Sequence, residues 1–172
     1  MSSDNIISLV KKAQENDVDS FGELYSLFAV DMFRYAFYQT SDKTLAEDAV
    51  SDAVLLAFQN IRQLKKPASF KSWLFSILLN CCRTKQKEKA TMLRTDELSS
   101  HENVPALHSD FNENAALKAA LGKLDESDRE IFLLSVLFGY SSKEIAAMLD
   151  MKAGSVRSRL SRTKTKMREM IA

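Results

Sequence analysis

Between Ser141 and Arg168 the chain reads SSKEIAAMLDMKAGSVRSRLSRTKTKMR. From Lys152 to Arg168 this stretch holds seven basic residues and no acidic one. Arg157, Arg159, Arg162, Lys164, Lys166 and Arg168 are interleaved with Val156 and Leu160, four residues apart. One helix would therefore bury an apolar seam and turn a cationic face outward. The chemistry open to that face is not covalent. Guanidinium and ammonium groups meet phosphates by charge, and an arginine can also pair with a guanine edge.

An element must stand in front of such a helix to present it. Ser141 and Glu144 form the S-x-x-E pattern of a capping box, in which each side chain satisfies a free backbone N–H at a helix start. Ile145, Leu149 and Met151 give that first helix an apolar side, and Ala146 is small where a second helix would approach. Gly154 is expected to supply freedom near the turn. A short capped helix, a tight turn and a basic second helix make a helix-turn-helix, whose second helix lies in the major groove of DNA. A cationic helix that only keeps a protein soluble would need neither the cap nor the seam.

No comparable signal for catalysis exists. The chain lacks a phosphate-cradling glycine motif, a metal-ligand spacing and a histidine within a structured element; His101 and His108 lie in a polar stretch. No catalytic residue, metal or cofactor is therefore assigned. Cys81 and Cys82 are adjacent, and neighbours on a helix do not easily reach disulfide geometry, so a reducing, cytoplasmic setting is expected. No segment has the length of a membrane helix, so no membrane insertion is expected, and Met1–Ser20 lacks a signal-peptide pattern.

With 172 residues, 45% of them apolar, and only four Gly and two Pro, the expected class is all-α: two small helical domains joined by a linker, the C-terminal one a helix-turn-helix. The net charge of +1 names no partner, but the charge is sorted along the chain. Residues 91–114 hold Pro105, both histidines and an acidic excess, and read as an acidic flexible linker between an N-terminal domain, 1–90, and a C-terminal domain, 115–172.

In the N-terminal half, Phe21, Leu24, Tyr25 and Phe28 fall at helical spacing, continued by Met32, Phe33, Ala36 and Phe37. Thr40 to Lys43 is a polar break. AEDAVSDAVLLAFQNI, from Ala46 to Ile61, is expected to turn Ala49, Val50, Ala53, Leu56 and Ala57 inward and Glu47, Asp48 and Asp52 outward. Arg62 to Ser69 is a basic loop. A helix from Phe70 to about Lys89 carries an apolar stripe of Phe70, Trp73, Leu74, Ile77, Leu78 and Cys81, and a basic tail. In the C-terminal half, a helix spans Ala115–Leu124, Ser127 and Glu130 repeat the capping-box pattern, and Gly139 is placed to end the helix that follows.

Together the halves resemble the extracytoplasmic-function sigma factors, the smallest members of the main bacterial sigma family. The resemblance spans roughly residues 18–90 and 115–170. FGELY at Phe21–Tyr25, AEDAVSDAVLLAFQNI, FKSWLFSILLNCCRTKQKEK, LDESDREIFLL and SSKEIAAMLDMKAGSVRSRLSRTK carry it.

The resemblance implies a protein that joins core RNA polymerase, directs it to a promoter and helps to separate the strands, making no covalent bond itself. It implies core-polymerase contact by Glu47, Asp48, Ser51 and Asp52, although the family often has glutamine where Ser51 stands. It implies single-stranded contact at the promoter −10 element by Lys65, Lys66, Ser69, Phe70, Lys71, Trp73, Asn80 and Arg83, where basic residues track phosphates and flat surfaces receive bases. The places of Phe70 and Trp73 on the apolar stripe fit core packing as well. The family capture of a flipped base falls on the loop Arg62–Ser69. At the duplex −35 element it implies base-facing positions at Arg157, Ser158, Ser161 and Arg162, which share a helical face, with Arg159, Lys164 and Lys166 on phosphates. An anti-sigma protein is a further implied partner.

In the linker, Asp96, Glu97, Glu102, Asp110 and Glu113 would either mimic nucleic-acid charge or sit in a plain tether. Two other functions stay open on sequence: a conventional helix-turn-helix regulator that forms no holoenzyme, and a protein of this fold that has lost promoter opening. An enzyme is the weakest reading.

Overall fold

A computed structural model describes residues 1–95 and 113–172, and every regular element among them is helical. The first set comprises α1 (Ser3–Gln14), α2 (Val18–Thr40), α3 (Lys43–Asn60), two 3-10 turns at Ile61–Gln63 and Pro67–Ser69, and α4 (Phe70–Thr95). The second comprises α5 (Ala115–Gly122), α6 (Glu126–Phe132), which runs on as a π-turn over Leu133–Leu137, α7 (Ser142–Leu149) and α8 (Ala153–Ile171). No described helix is long and apolar enough to cross a membrane. No described group of three or more His, Cys, Asp or Glu residues is arranged to hold a metal ion.

Local chemistry sets the helix boundaries. The Thr40–Lys43 break is two caps back to back. Ser41 adopts a left-handed conformation (φ 57°) and donates its N–H to the Phe37 carbonyl at 2.7 Å, while the Asp42 carboxylate accepts from the Leu45 N–H at 3.1 Å. Gly139 takes φ +72°, a value that a side chain would strain, where the π-turn ends. Three boundaries differ from the sequence reading. Helix α1 was not expected, yet it buries Leu9, Val10 and Ala13; its polar composition hides a narrow apolar stripe. Helix α4 runs to Thr95, past the expected end near Lys89. The cap of α6 is Asp125, accepting from the Asp128 N–H at 2.8 Å, so the Ser127–Glu130 pattern caps nothing. Glu130 is used elsewhere.

The N-terminal core packs α2, α3 and α4 through small residues on α3. Ala46, Ala49, Ala53 and Ala57 are fully buried, which lets the neighbouring backbones approach closely. Phe28, Phe70, Tyr35 and Phe75 fill the space across from them. Leu56, expected to face inward, is instead 42% exposed, as is Leu55 at 56%. The run VLLAF carries more apolar groups than one helix face can bury.

The second helix set rests on the first. Phe138 lies 5.2 Å from Phe75 and 6.1 Å from Tyr35, ring centre to ring centre. Arg129 donates to the Leu121 and Leu124 carbonyls, finishing α5, and to the Gln39 carbonyl of α2 at 2.7 Å. Arg83 grips Glu130 with two bonds, Nε at 2.7 Å and an outer nitrogen at 2.8 Å. The Glu130 side chain is 1% exposed. Burial pushes its carboxyl above the ordinary value, and the Arg83 guanidinium partly offsets that. Both cysteines are buried and free, and burial raises each thiol, Cys81 to about 11; neither is primed for reaction.

Two predictions follow from these pairs. Arg83→Ala strands a buried carboxylate and should cost about 2 kcal/mol, whereas Glu130→Gln, which needs no counter-charge, should cost less; equal losses in chemical denaturation would refute this ordering. A carboxyl raised by folding contributes stability that is complete below its unfolded value and fades as pH rises through its folded one. The wild type should therefore lose stability relative to Glu130→Gln as pH rises from 4.5, the ordinary carboxyl value, and parallel pH profiles would refute that.

Candidate polymerase and nucleic-acid interfaces

The helix-turn-helix forms from its own sequence. The Ser141 hydroxyl accepts from the Glu144 N–H at 3.1 Å, and the Glu144 carboxylate accepts from the Ser141 N–H at 2.7 Å, completing the capping box. The turn differs from expectation at one residue. Asp150, with φ 54°, takes the left-handed position, and the Met151 N–H returns to the Ala146 carbonyl at 2.9 Å. Gly154 already lies inside α8, where an added Cβ would meet only an Arg157 side-chain nitrogen at 3.8 Å, so no turn freedom is required of it. Ile145, Ala146, Val156, Leu160 and Met167 hold α7 and α8 in the core. Arg157, Ser158, Ser161 and Arg162 are exposed on α8, as is Lys166, while Lys164 is half-buried.

Arg159 has a different position. Its Nε lies 2.9 Å from an Asp128 carboxylate oxygen, one outer nitrogen donates to the Ser127 hydroxyl at 2.8 Å, and the other lies 3.6 Å from Asp125. The guanidinium is thus occupied by α6. The sequence put Arg159 among the phosphate contacts because spacing does not reveal a neighbouring helix.

The basic loop is built from the two 3-10 turns. Ile61 and Leu64 are buried and pin its first half; Phe70 is buried and pins its end. Lys65 and Lys66 stand exposed between the turns, and Ser69 is half-buried. Pro67 opens the second turn, with the Ser69 N–H returning to the Lys66 carbonyl at 2.9 Å. Phe70, expected as a surface for bases, is 1% exposed and held between Phe28 and Trp73, with ring centres at 5.8 and 5.9 Å. At 1% exposure, with Phe28 and Trp73 against it, the ring offers no face to a base. Lys71 is half-buried with its Nζ 5.5 Å from the Tyr140 ring centre, a cation–π contact that reaches the second helix set. Arg83 is engaged by Glu130.

Between α3 and α4 lies an open groove of about 570 Å³, lined among others by Asp52, Leu55, Leu56, Trp73, Asn80 and Cys81. It joins residues that the sequence assigned to separate tasks: Asp52 to polymerase, Trp73 and Asn80 to DNA. Asn80 and Asp52 are exposed and Trp73 is half-buried. Leu55 and Leu56 were missed because an apolar residue in a helical run is ordinarily read as core. Glu47 and Asp48 are half-buried on the preceding turns of α3, and Ser51 is exposed. Lys85 of α4 reaches Asp52 at 3.1 Å, so part of the acidic face is already neutralised within the chain. Of the linker acids, Glu113 pairs with Lys118 at 3.2 Å; Asp96, Glu97, Glu102 and Asp110 fall outside the described residues.

Residues 24–90 match the family described as Sigma-70 region 2, and residues 114–167 match Sigma-70, region 4. The ECF RNA polymerase sigma factor SigL of Mycobacterium tuberculosis is 30% identical over 145 residues, covering 80% of each chain. The ECF RNA polymerase sigma factor BldN of Streptomyces coelicolor is 28% identical over 162 residues, covering 89% of this chain; the chain spans 61% of the length of BldN. Among solved structures, CnrH in complex with the cytosolic domain of CnrY superposes with a TM-score of 0.74 at 25% identity, covering 97% of both chains. The chain belongs to the extracytoplasmic-function sigma factors.

Proposed function

We propose that this chain joins core RNA polymerase in the cytoplasm, directs it to a promoter and holds the separated strand, without catalysing a covalent step itself. The observation that carries this reading is the coexistence of three surfaces in one chain. These are a capped helix-turn-helix with an exposed Arg157–Arg162 face, a pinned basic loop, and an acidic and apolar groove on α3. A conventional regulator has no use for the second and third.

At the −35 element, Arg157, Ser158, Ser161 and Arg162 meet base edges in the major groove, and Lys164 and Lys166 meet phosphates. Arg159 acts one step back, fixing α8 against α6 so that the reading face keeps its angle. At the −10 element, Lys65 and Lys66 hold the backbone of the unpaired strand, while Ser69 and Asn80 hydrogen-bond bases. The half-buried Trp73 offers its exposed edge, and Phe70 supports Trp73 from below. Lys71 and Arg83 join them only when their contacts to Tyr140 and Glu130 open. Core polymerase takes α3, where Glu47, Asp48, Ser51 and Asp52 provide charge and polar contacts, and Leu55 and Leu56 provide the apolar area that such an interface needs at its centre. An anti-sigma protein is a fitting second partner, and the CnrH neighbour was solved in complex with another protein segment, the cytosolic domain of CnrY.

The direct test is reconstituted transcription with bacterial core polymerase on a library of promoter fragments. Discrete starts sharing a −35/−10 pattern, absent without the protein, are expected; core binding without such starts would remove the initiation role. Arg162→Ala should weaken promoter binding by about 1–3 kcal/mol and relax preference at one base, and an unaltered sequence preference would reject the base contact. Joint replacement of Asp48 and Asp52 by arginine should lower core affinity about tenfold while leaving −35 duplex binding intact. Undiminished core affinity would move that interface off α3.

A further inference from the structure

The C-terminus of α1 is joined to the basic loop by bonds that neither core packing nor the helix ladder requires. The side-chain amide of Gln14 donates to two loop carbonyls, Ile61 at 2.9 Å and Leu64 at 2.8 Å. Ile61 follows the last residue of α3, and Leu64 closes the 3-10 turn with its N–H on the Ile61 carbonyl at 3.2 Å, so the Gln14 amide holds both ends of that turn. Two residues on, Asn16 takes φ 70°, and its side-chain oxygen accepts a bond from the Arg62 guanidinium. Asparagine is among the few residues that adopt this left-handed backbone without large strain. Here the same residue turns the chain between α1 and α2 and aims its amide at the loop. Gln14 and Asn16 thus grip the 3-10 turn at Ile61–Gln63, while the side chains of Ile61 and Leu64 are buried.

We infer that Gln14 and Asn16 are positioning residues that fix the conformation in which Lys65, Lys66 and Ser69 receive an unpaired base. This rests on the reading of that loop given above. The physical reason is preorganisation. A loop already ordered before binding does not lose further backbone freedom when a base enters, and its donors keep one geometry that suits one base better than another. An unbraced loop keeps its charge and still attracts single-stranded DNA, but it averages over conformations and discriminates less. Arg62, drawn to Asn16, then serves the brace rather than the DNA, leaving the two lysines at the tip to meet phosphates.

The test uses holoenzyme made from the full chain and core polymerase, with a pool of single-stranded DNA randomised over a short window. Enriched sequences are compared among variants. Ser69→Ala should flatten base preference at one position of the enriched pool, whereas Lys66→Ala should weaken retention of all sequences alike. Gln14→Met, of similar size but without a donor, and Asn16→Gly, which keeps the left-handed backbone, should flatten the same position about tenfold. Their core affinity and melting temperature should match the wild type, and Gln14→Lys, which restores a donor, should recover the preference. If Ser69→Ala loses the preference and both brace variants keep it, the inference fails while the loop reading stands. If Ser69→Ala leaves the pool unaltered and Lys66→Ala leaves retention unaltered, the loop reading fails and takes the inference with it. A loss in the brace variants that tracks reduced core affinity or melting temperature would assign Gln14 and Asn16 to stability alone and overturn the positioning role.

Discussion

A single buried carboxylate sets the arrangement of this molecule. Glu130 sits almost fully inside the protein and is gripped at both oxygens by Arg83. An unpaired carboxylate at that depth is costly, so α6 cannot settle anywhere that leaves Glu130 without its partner on α4. Around that pair the two helix sets meet through Phe75 and Phe138, and Arg129 ties α6 to the end of α2. The orientation of the helix-turn-helix relative to the N-terminal helices therefore depends on a charge pair. Hydrophobic area alone, which tolerates many packings, would not fix it.

The same economy governs the other cations. Acidic residues nearly match them in number, and many of the cations have protein partners. Arg159 braces α8 against α6, Arg129 closes α5, Arg62 meets Asn16, Lys85 meets Asp52 and Lys89 meets Asp42. Most of the cations proposed for nucleic acid are exposed, Lys65 and Lys66 at the loop tip and Arg157, Arg162 and Lys166 along α8, with Lys164 half-buried beside them. Residue type alone does not separate the two groups. Arg157 and Arg159 are two positions apart on one helix and face different surroundings.

The groove between α3 and α4 shows how tasks that are distant in sequence become neighbours. Asp52 and Asn80 are separated by a helix end, a loop and about three turns of α4, yet line one opening together with Leu55, Leu56 and Trp73. A polymerase contact at one side of this groove and a DNA strand at the other would share a wall. Binding at either would be felt by the side chains of both.

Local sequence determined what local forces can determine. The capping box at Ser141 and Glu144, the Val156–Leu160 seam, the left-handed Gly139 and the polar break before α3 depend on bonds within a few residues, so their patterns are legible along the chain. So were the all-helical class and the two-part organisation, because apolar periodicity and the polar stretch between the halves require no knowledge of neighbours. What only the tertiary structure decided were the destinations of groups with several possible partners. Ser127 and Glu130 have capping-box spacing, but Asp125 caps α6 and Glu130 goes to Arg83. Phe70 has the ring of a base-stacking residue, but Phe28 and Trp73 enclose it. Leu56 has the spacing of a core residue, but the alanines beside it fill the interface first. The contacts of Glu130 with Arg83 and of Phe70 with Phe28 come from residues far away in sequence, and their advantage appears only when the chain has closed around them.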